Sequence, residues 1–148
     1  MLQLLSIFFR QNNSVMLESF KFHHIGVATN DICKTASYYV EAGYEMSEIT
    51  YDPIQNVNIA FLYKDNMPTV ELLAPVDEKS PVYKTVKSSG VTPYHCCYVV
   101  DDIELAIDNL RKRGFIPLSK PVPAIALNGN KICFLYNRSV GLIELLNK

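Results

Sequence analysis

His24-Ile25-Gly26-Val27-Ala28-Thr29-Asn30-Asp31 opens the run that decides the fold, because the run occurs twice. A helix-like stretch follows it to Gly43. Seventy-one residues downstream, His95-Cys96-Cys97-Tyr98-Val99-Val100-Asp101-Asp102 leads into a second helix-like stretch that stops at Gly114. The spacing of 71 residues holds at three anchors, His24 to His95, Asp31 to Asp102 and Gly43 to Gly114. Each copy then closes on a matched pair of segments. Phe61-Leu62-Tyr63, six residues and Val70-Glu71-Leu72-Leu73 answer to Phe134-Leu135-Tyr136, six residues and Ile143-Glu144-Leu145-Leu146, now 73 residues apart. One two-residue insertion therefore separates the halves. Each half supplies one His near its start and one Glu near its end.

Alternation over residues 21–28 reads as a strand with His24, Gly26 and Ala28 on one face and Ile25 and Val27 on the other. His23 falls one residue off the repeat and is assigned to the opposite face in a structural role. Asp31 is placed to cap a helix, since its carboxylate can accept amides of the first turn; Ile32, Thr35, Ala36 and Tyr39 keep helical spacing to the stop at Gly43. Strands follow at 44–51, 56–63 and 68–74, with Asp52-Pro53 and Asp65-Asn66-Met67-Pro68 as the turns between them. Pro75 ends the unit, and 80–90 is a connector with a short helix from Pro81, where a missing N–H is harmless. The second unit repeats the plan. A strand spans 92–100, and a helix runs from Asp102 to Gly114 with Ile103, Ala106, Ile107 and Leu110 on its buried face. Strands near 115–119, 130–136 and 141–147 complete it, the first two separated by Pro121, Pro123 and the Asn128-Gly129 turn. The fold class is α+β, a βαβββ plan used twice. A half of about 65 residues buries little core alone, so the two share one. The domain is 21–148: module one 21–75, connector 76–91 and module two 92–148, preceded by an N-terminal arm, 1–20.

At 148 residues the length fits one domain, and 49% apolar residues are ample for its core. A net charge of −1 and the lack of a basic cluster exclude general affinity for nucleic acid or anionic membranes. No apolar run reaches the roughly 20 residues of a membrane helix. The apolar opening Met1–Phe9 lacks a basic start and a cleavage site, which argues against a signal peptide. Cys33, Cys96, Cys97 and Cys133 have neither CxxC spacing nor a disulfide-scaffold context, so they read as free thiols of a cytoplasmic protein. Met16 lies just before the first repeat, and deleting residues 1–15 is expected to leave activity intact.

Glu71 and Glu144 sit inside strand patterns, flanked by apolar residues. A bare interior carboxylate costs several kcal/mol unless it is paired. His24 and His95 lie on the early strands of the same units. Taken singly, a strand His is more often a hydrogen-bonded core residue, and an interior Glu is often a salt-bridge partner. Four such residues at matched places in a repeat favour one shared site. Two imidazoles and two carboxylates suit a single divalent ion, Zn, Ni, Co, Mn or Fe, with positions left for water or a substrate oxygen. Cys97 shares the face of His95 and is placed near that ion. Asn128-Gly129-Asn130 reads as a plain turn, and no phosphate-cradling glycine loop is present.

Paired βαβββ modules with His-Ile-Gly near the start, Val-Glu-Leu-Leu closing the first and Ile-Glu-Leu-Leu closing the second resemble the vicinal oxygen chelate superfamily. Within it the similarity is greatest to methylmalonyl-CoA epimerase-like and glyoxalase I-like proteins, over residues 21–147. The resemblance implies sheets curled around a cleft with one divalent ion on its floor, held by His24, Glu71, His95 and Glu144. It implies a homodimer and a small-molecule substrate such as an acyl-CoA, thioester or thiohemiacetal. In such enzymes the metal chelates a carbonyl-type oxygen and stabilises an enolate, while a carboxylate beside it, here Glu144, moves the proton.

One position departs from the epimerase pattern. A second catalytic Glu is expected about sixteen residues before the fourth ligand, and that count lands on Gln55. An amide is no base. Glu48 or Asp52 substitutes for it, or Glu144 performs both transfers as in a glyoxalase-like isomerisation, or the reaction differs; Gln55 still has an amide with which to orient substrate. The expected function is a metal-dependent isomerase, epimerase or lyase. The alternatives are a metal-independent sequestering protein of the bleomycin-resistance type, which has no use for four ligands, and an Fe(II) dioxygenase, which leaves the position of Glu71 open.

Overall fold

The computed structural model describes residues 19–148, so the deletion proposed for residues 1–15 lies outside the described residues. Module one runs β1 (Lys21–Ala28), α1 (Ile32–Glu41), β2 (Glu45–Met46), β3 (Thr50–Asp52), β4 (Val57–Tyr63) and β5 (Thr69–Pro75). A connecting helix α2 (Tyr83–Ser89) leads to β6 (Thr92–Val100), α3 (Ile103–Arg111), β7 (Ile116–Pro117), β8 (Val122–Pro123), a 3₁₀ turn at Ile125–Leu127, β9 (Lys131–Asn137) and β10 (Gly141–Asn147).

Both long helices start as their caps dictate. The Asp31 carboxylate accepts Lys34 N–H and the Asp102 carboxylate accepts Leu105 N–H, each at 2.9 Å. They end where Gly43 and Gly114 adopt φ of +88° and +83°, which lets Tyr44 and Phe115 bond back to the carbonyls of Tyr39 and Leu110. Ile32 and Ala36 of α1, and Ile103, Ala106, Ile107 and Leu110 of α3, are the buried residues of those helices.

All ten strands join one sheet in the order β2-β4-β5-β1-β6-β10-β9-β7, with β3 also on β4 and β8 also on β9. The order is the same from either end, which is the repeat made visible. The centre is the antiparallel pair β1–β6, flanked by β5 parallel to β1 and β10 parallel to β6. On one face α1 covers Val27, Ala60, Leu62, Val70 and Leu72, while α3 covers Cys133, Leu135, Ile143 and Leu145. The other face carries a third core, in which Ala28, Ile59, Phe61, Leu73, Cys97 and Leu146 meet Val82 of the connector and Ala124 and Leu127 of the 3₁₀ segment. Among the described residues no helix is long and apolar enough to cross a membrane.

Two expectations need correction. The strand expected over 44–51 is two short strands, β2 and β3, because Ser47 leaves the ladder: its hydroxyl oxygen accepts Phe61 N–H at 2.9 Å while its own N–H reaches Phe61 C=O at 2.8 Å. Module two breaks at the same place, where 115–119 shrinks to β7 and Pro121 precedes β8. His23 is not turned to the opposite face from His24. The register slips by one residue between Phe22 and His24, a β-bulge that ends the alternation there.

Candidate metal centre

The four residues named from the repeat arrive on the four central strands, His24 on β1, His95 on β6, Glu71 on β5 and Glu144 on β10. Register places them. Gly26 pairs with His95 across β1–β6 and with Glu71 across β1–β5, and Cys97 pairs with His24 and with Glu144 in the mirrored positions. Gly26 is required by this packing, since a Cβ there would fall 2.2 Å from Cε1 of His95.

All four side chains are buried, His24 fully, Glu144 to 2%, Glu71 to 3% and His95 to 4% exposure. Their tips converge. His24 Nε2 and His95 Nε2 stand 3.2 Å apart. Glu71 Oε2 lies 3.3 and 3.4 Å from those nitrogens, and Glu144 Oε2 lies 3.2 and 3.3 Å from them. Donors about 2.0–2.1 Å from a common centre in tetrahedral arrangement stand roughly 3.3–3.4 Å apart, the spacing found here. Glu144 Oε2 is within ion-pair reach of both rings, yet neither directs an N–H at it with hydrogen-bond geometry, and it is left without a partner among the described residues. Buried oxygens are rarely left so. Lone pairs from two carboxylates and two imidazoles aimed at one point fit a divalent cation.

With no cation present the quartet behaves as two ion pairs. Burial would push His95 down, but the Glu144 and Glu71 carboxylates beside it outweigh burial and hold the ring up at about 9. His24 moves up for the same reasons. Burial would raise Glu144, but His24 and His95 bring it down to about 2, and Glu71 moves the same way.

Aromatic rings frame the site. Phe61 and Phe134 pack edge-on against His24 and His95, at centroid distances of 5.4 and 5.1 Å. Phe134 and Tyr94, which also abuts His95, form a wall shared with a cavity of about 250 Å³. The cavity is lined mainly by apolar groups, including Val57, Leu73, Val82, Val122 and Ile132, with Gln55 and Ser119 as its side-chain polar groups besides the Tyr94 hydroxyl.

Gln55 reaches this cavity, but its amide is engaged: Nε2 donates to Asp52 Oδ2 at 3.1 Å. Asp52 is fully buried and also accepts Ile54 N–H and Gln55 N–H at 2.8 and 3.0 Å, so its carboxylate is spent on the turn. Glu48 is exposed and lies apart from the cavity lining. Cys97 is completely buried, and burial beside Glu144 pushes its thiol far up, which denies it a thiolate role. All four cysteines are free thiols. Sequence reasoning missed His23, whose Nδ1 lies 2.7 Å from Nδ1 of His24; only the bulge could have revealed it.

Comparison with known proteins agrees with this architecture. The family described as Glyoxalase/Bleomycin resistance protein/Dioxygenase superfamily matches residues 23–134. The chain is 30% identical over 141 residues to the mitochondrial methylmalonyl-CoA epimerase of Mus musculus, covering 91% of this chain and 77% of that protein. It is 30% identical over 129 residues to the ethylmalonyl-CoA/methylmalonyl-CoA epimerase of Cereibacter sphaeroides, covering 84% and 96%. Among solved structures, a hypothetical protein from Bacillus halodurans superposes with a TM-score of 0.78 at 30% identity, over 88% and 95% of the two chains. A methylmalonyl-CoA epimerase from Mycobacterium tuberculosis, at 22% identity, shares the fold with a TM-score of 0.77 over 86% and 87%. Repeat, palindromic sheet and matched family together lead to one conclusion: the chain belongs to the glyoxalase/bleomycin resistance protein/dioxygenase superfamily.

Proposed function

We propose that this protein is a divalent-metal-dependent isomerase that moves a proton at a carbon next to a substrate carbonyl, epimerase-like or glyoxalase-like. One observation carries the reading: four buried donor atoms, one from each central strand, converge at 3.2–3.4 Å. The 30% identity to proteins named methylmalonyl-CoA epimerase supports an acyl-CoA or related thioester as the substrate class. His24, His95, Glu71 and Glu144 hold the ion, which supplies a Lewis acid that makes loss of the adjacent proton easier.

The protein's own groups do the rest. The apolar cavity behind Phe134 takes the acyl portion and excludes water from the reacting carbon. Among the described residues no carboxylate lines it, so the proton falls to the quartet itself, and Glu144 is assigned as acceptor and donor. Gln55 has its Nε2 tied to Asp52 and presents its carbonyl oxygen, a group for orienting substrate. This favours a single carboxylate making both transfers, as in a glyoxalase-like isomerisation, over a two-base device.

The test has two stages. Protein purified without chelator is expected to carry a divalent ion and to lose thermal stability on its removal; metal-free protein that gains nothing from Co²⁺ or Ni²⁺ defeats the reading and favours a sequestering role. Loaded protein incubated with methylmalonyl-CoA in D₂O is then expected to exchange the α-proton, and Glu144→Gln to lose the exchange. Absence of exchange in the wild type, with gain in Gln55→Glu, would identify the missing second base as the cause.

A further inference from the structure

Strand β1 carries one residue too many between Phe22, which faces Tyr98, and His24, which faces Cys97. The extra residue of a bulge is unpaired and re-aimed. The outcome is a contact that alternation forbids: the rings of His23 and His24 lie 5.0 Å apart at 74°, with their Nδ1 atoms 2.7 Å from each other. In module two the matching position is Tyr94, and the buried Nδ1 of His95 has no hydrogen-bond partner among the described residues. The two imidazoles of the quartet are therefore held unequally.

We infer that His23 is a positioning residue for the metal centre, its Nδ1 accepting Nδ1–H of His24 and thereby fixing the tautomer whose Nε2 lone pair faces Glu71, Glu144 and His95. The inference rests on the metal-centre reading above. A neutral imidazole offers a lone pair at Nε2 only when its proton is on Nδ1, and a proton there needs an acceptor. His23 is the acceptor within reach. Lys148 Nζ stands 3.2 Å from His23 Nε2. An ammonium cannot accept from Nε2–H, so the tautomer inferred here forgoes a hydrogen bond with exposed Lys148.

The test is metal affinity. Wild type, His23→Phe and His23→Asn are titrated with Co²⁺ or Zn²⁺ against a competing chelator, with far-UV circular dichroism and melts of the metal-free forms as folding controls. The Asn amide oxygen stands as many bonds from Cα as the imidazole Nδ1 and can accept the same N–H. Loss of a group that orients a ligand lowers affinity by about 10–100-fold, which is the effect expected of His23→Phe, together with an altered visible spectrum of the Co²⁺ form. His23→Asn is expected to recover most of the affinity. If His23→Phe does not fold, His23→Ala takes its place. A folded Phe or Ala variant that binds as tightly as wild type, or an Asn variant as weak as it, overturns this inference alone. Wild type that binds no divalent ion overturns the metal centre itself.

Discussion

Gly26 and His95 form the tightest fit in the site, since the ring fills the space a side chain at 26 would need. Gly26→Ala is expected to displace that ring, at a cost of about 1–3 kcal/mol for overpacking and a tenfold or greater loss of divalent affinity. Chelator competition and thermal melts read both; an unchanged affinity would mean that His95 is not a ligand. The quartet also sets a pH profile for the metal-free protein. A raised imidazole contributes stability that is fully present below its unfolded value of 6.5 and lost as pH rises through the folded value, about 9 for His95. A depressed carboxyl contributes stability that is present above its unfolded value of 4.5 and lost as pH falls through the folded value, about 2 for Glu144. Chelator-treated protein is therefore expected to melt highest between pH 4.5 and 6.5, declining toward pH 9 on one side and below 4.5 on the other. A melting temperature level from pH 6.5 to 9 would argue against the ion pairs. At this scale the four ligand candidates were legible because a repeat made them coincide. His23 was not, because a single inserted residue in a ladder leaves no periodic trace.

The helices show how far local chemistry reaches. Asp31 and Asp102 each hold one amide of the first turn, so Asp31→Ala and Asp102→Ala are expected to cost about 1 kcal/mol apiece. The caps sit on different helices, and their effects are expected to add in denaturant titrations of the double variant. Caps, glycine stops and apolar spacing were all readable in advance, since each depends on neighbours within a turn or two. The middle strand of each module was not. Whether 47–49 stays in the ladder depends on Ser47 meeting Phe61, fourteen residues away across β4. Asp52 shows the same limit. The sequence places it in a loop and offers it as a possible base, but its burial and its three N–H donors make it the anchor of the 53–55 turn. Asp52→Ala is expected to cost about 1–3 kcal/mol and to release Gln55, lowering activity on substrate without altering metal affinity.

At the scale of the whole molecule, the two modules share one sheet, and the quartet joins them across its centre. Bound metal is therefore expected to act as a staple of the entire fold. At free metal about 100-fold above Kd the stabilisation is about 2.7 kcal/mol. For a domain of this size that raises the melting temperature by roughly 5–10 °C, which scanning fluorimetry with and without chelator would measure. A shift confined to one module, seen by hydrogen exchange, would contradict a shared site. The doubled sequence by itself determined the α+β plan, the pairing of modules and the four ligand candidates, because matched residues 71 and 73 positions apart need no coordinates to be compared. Only the tertiary structure decided that the Asp52 carboxylate is tied up in its turn and that the His23 ring meets that of His24. Those outcomes depend on which strands become neighbours, on where their register slips, and on which amides reach a buried oxygen first.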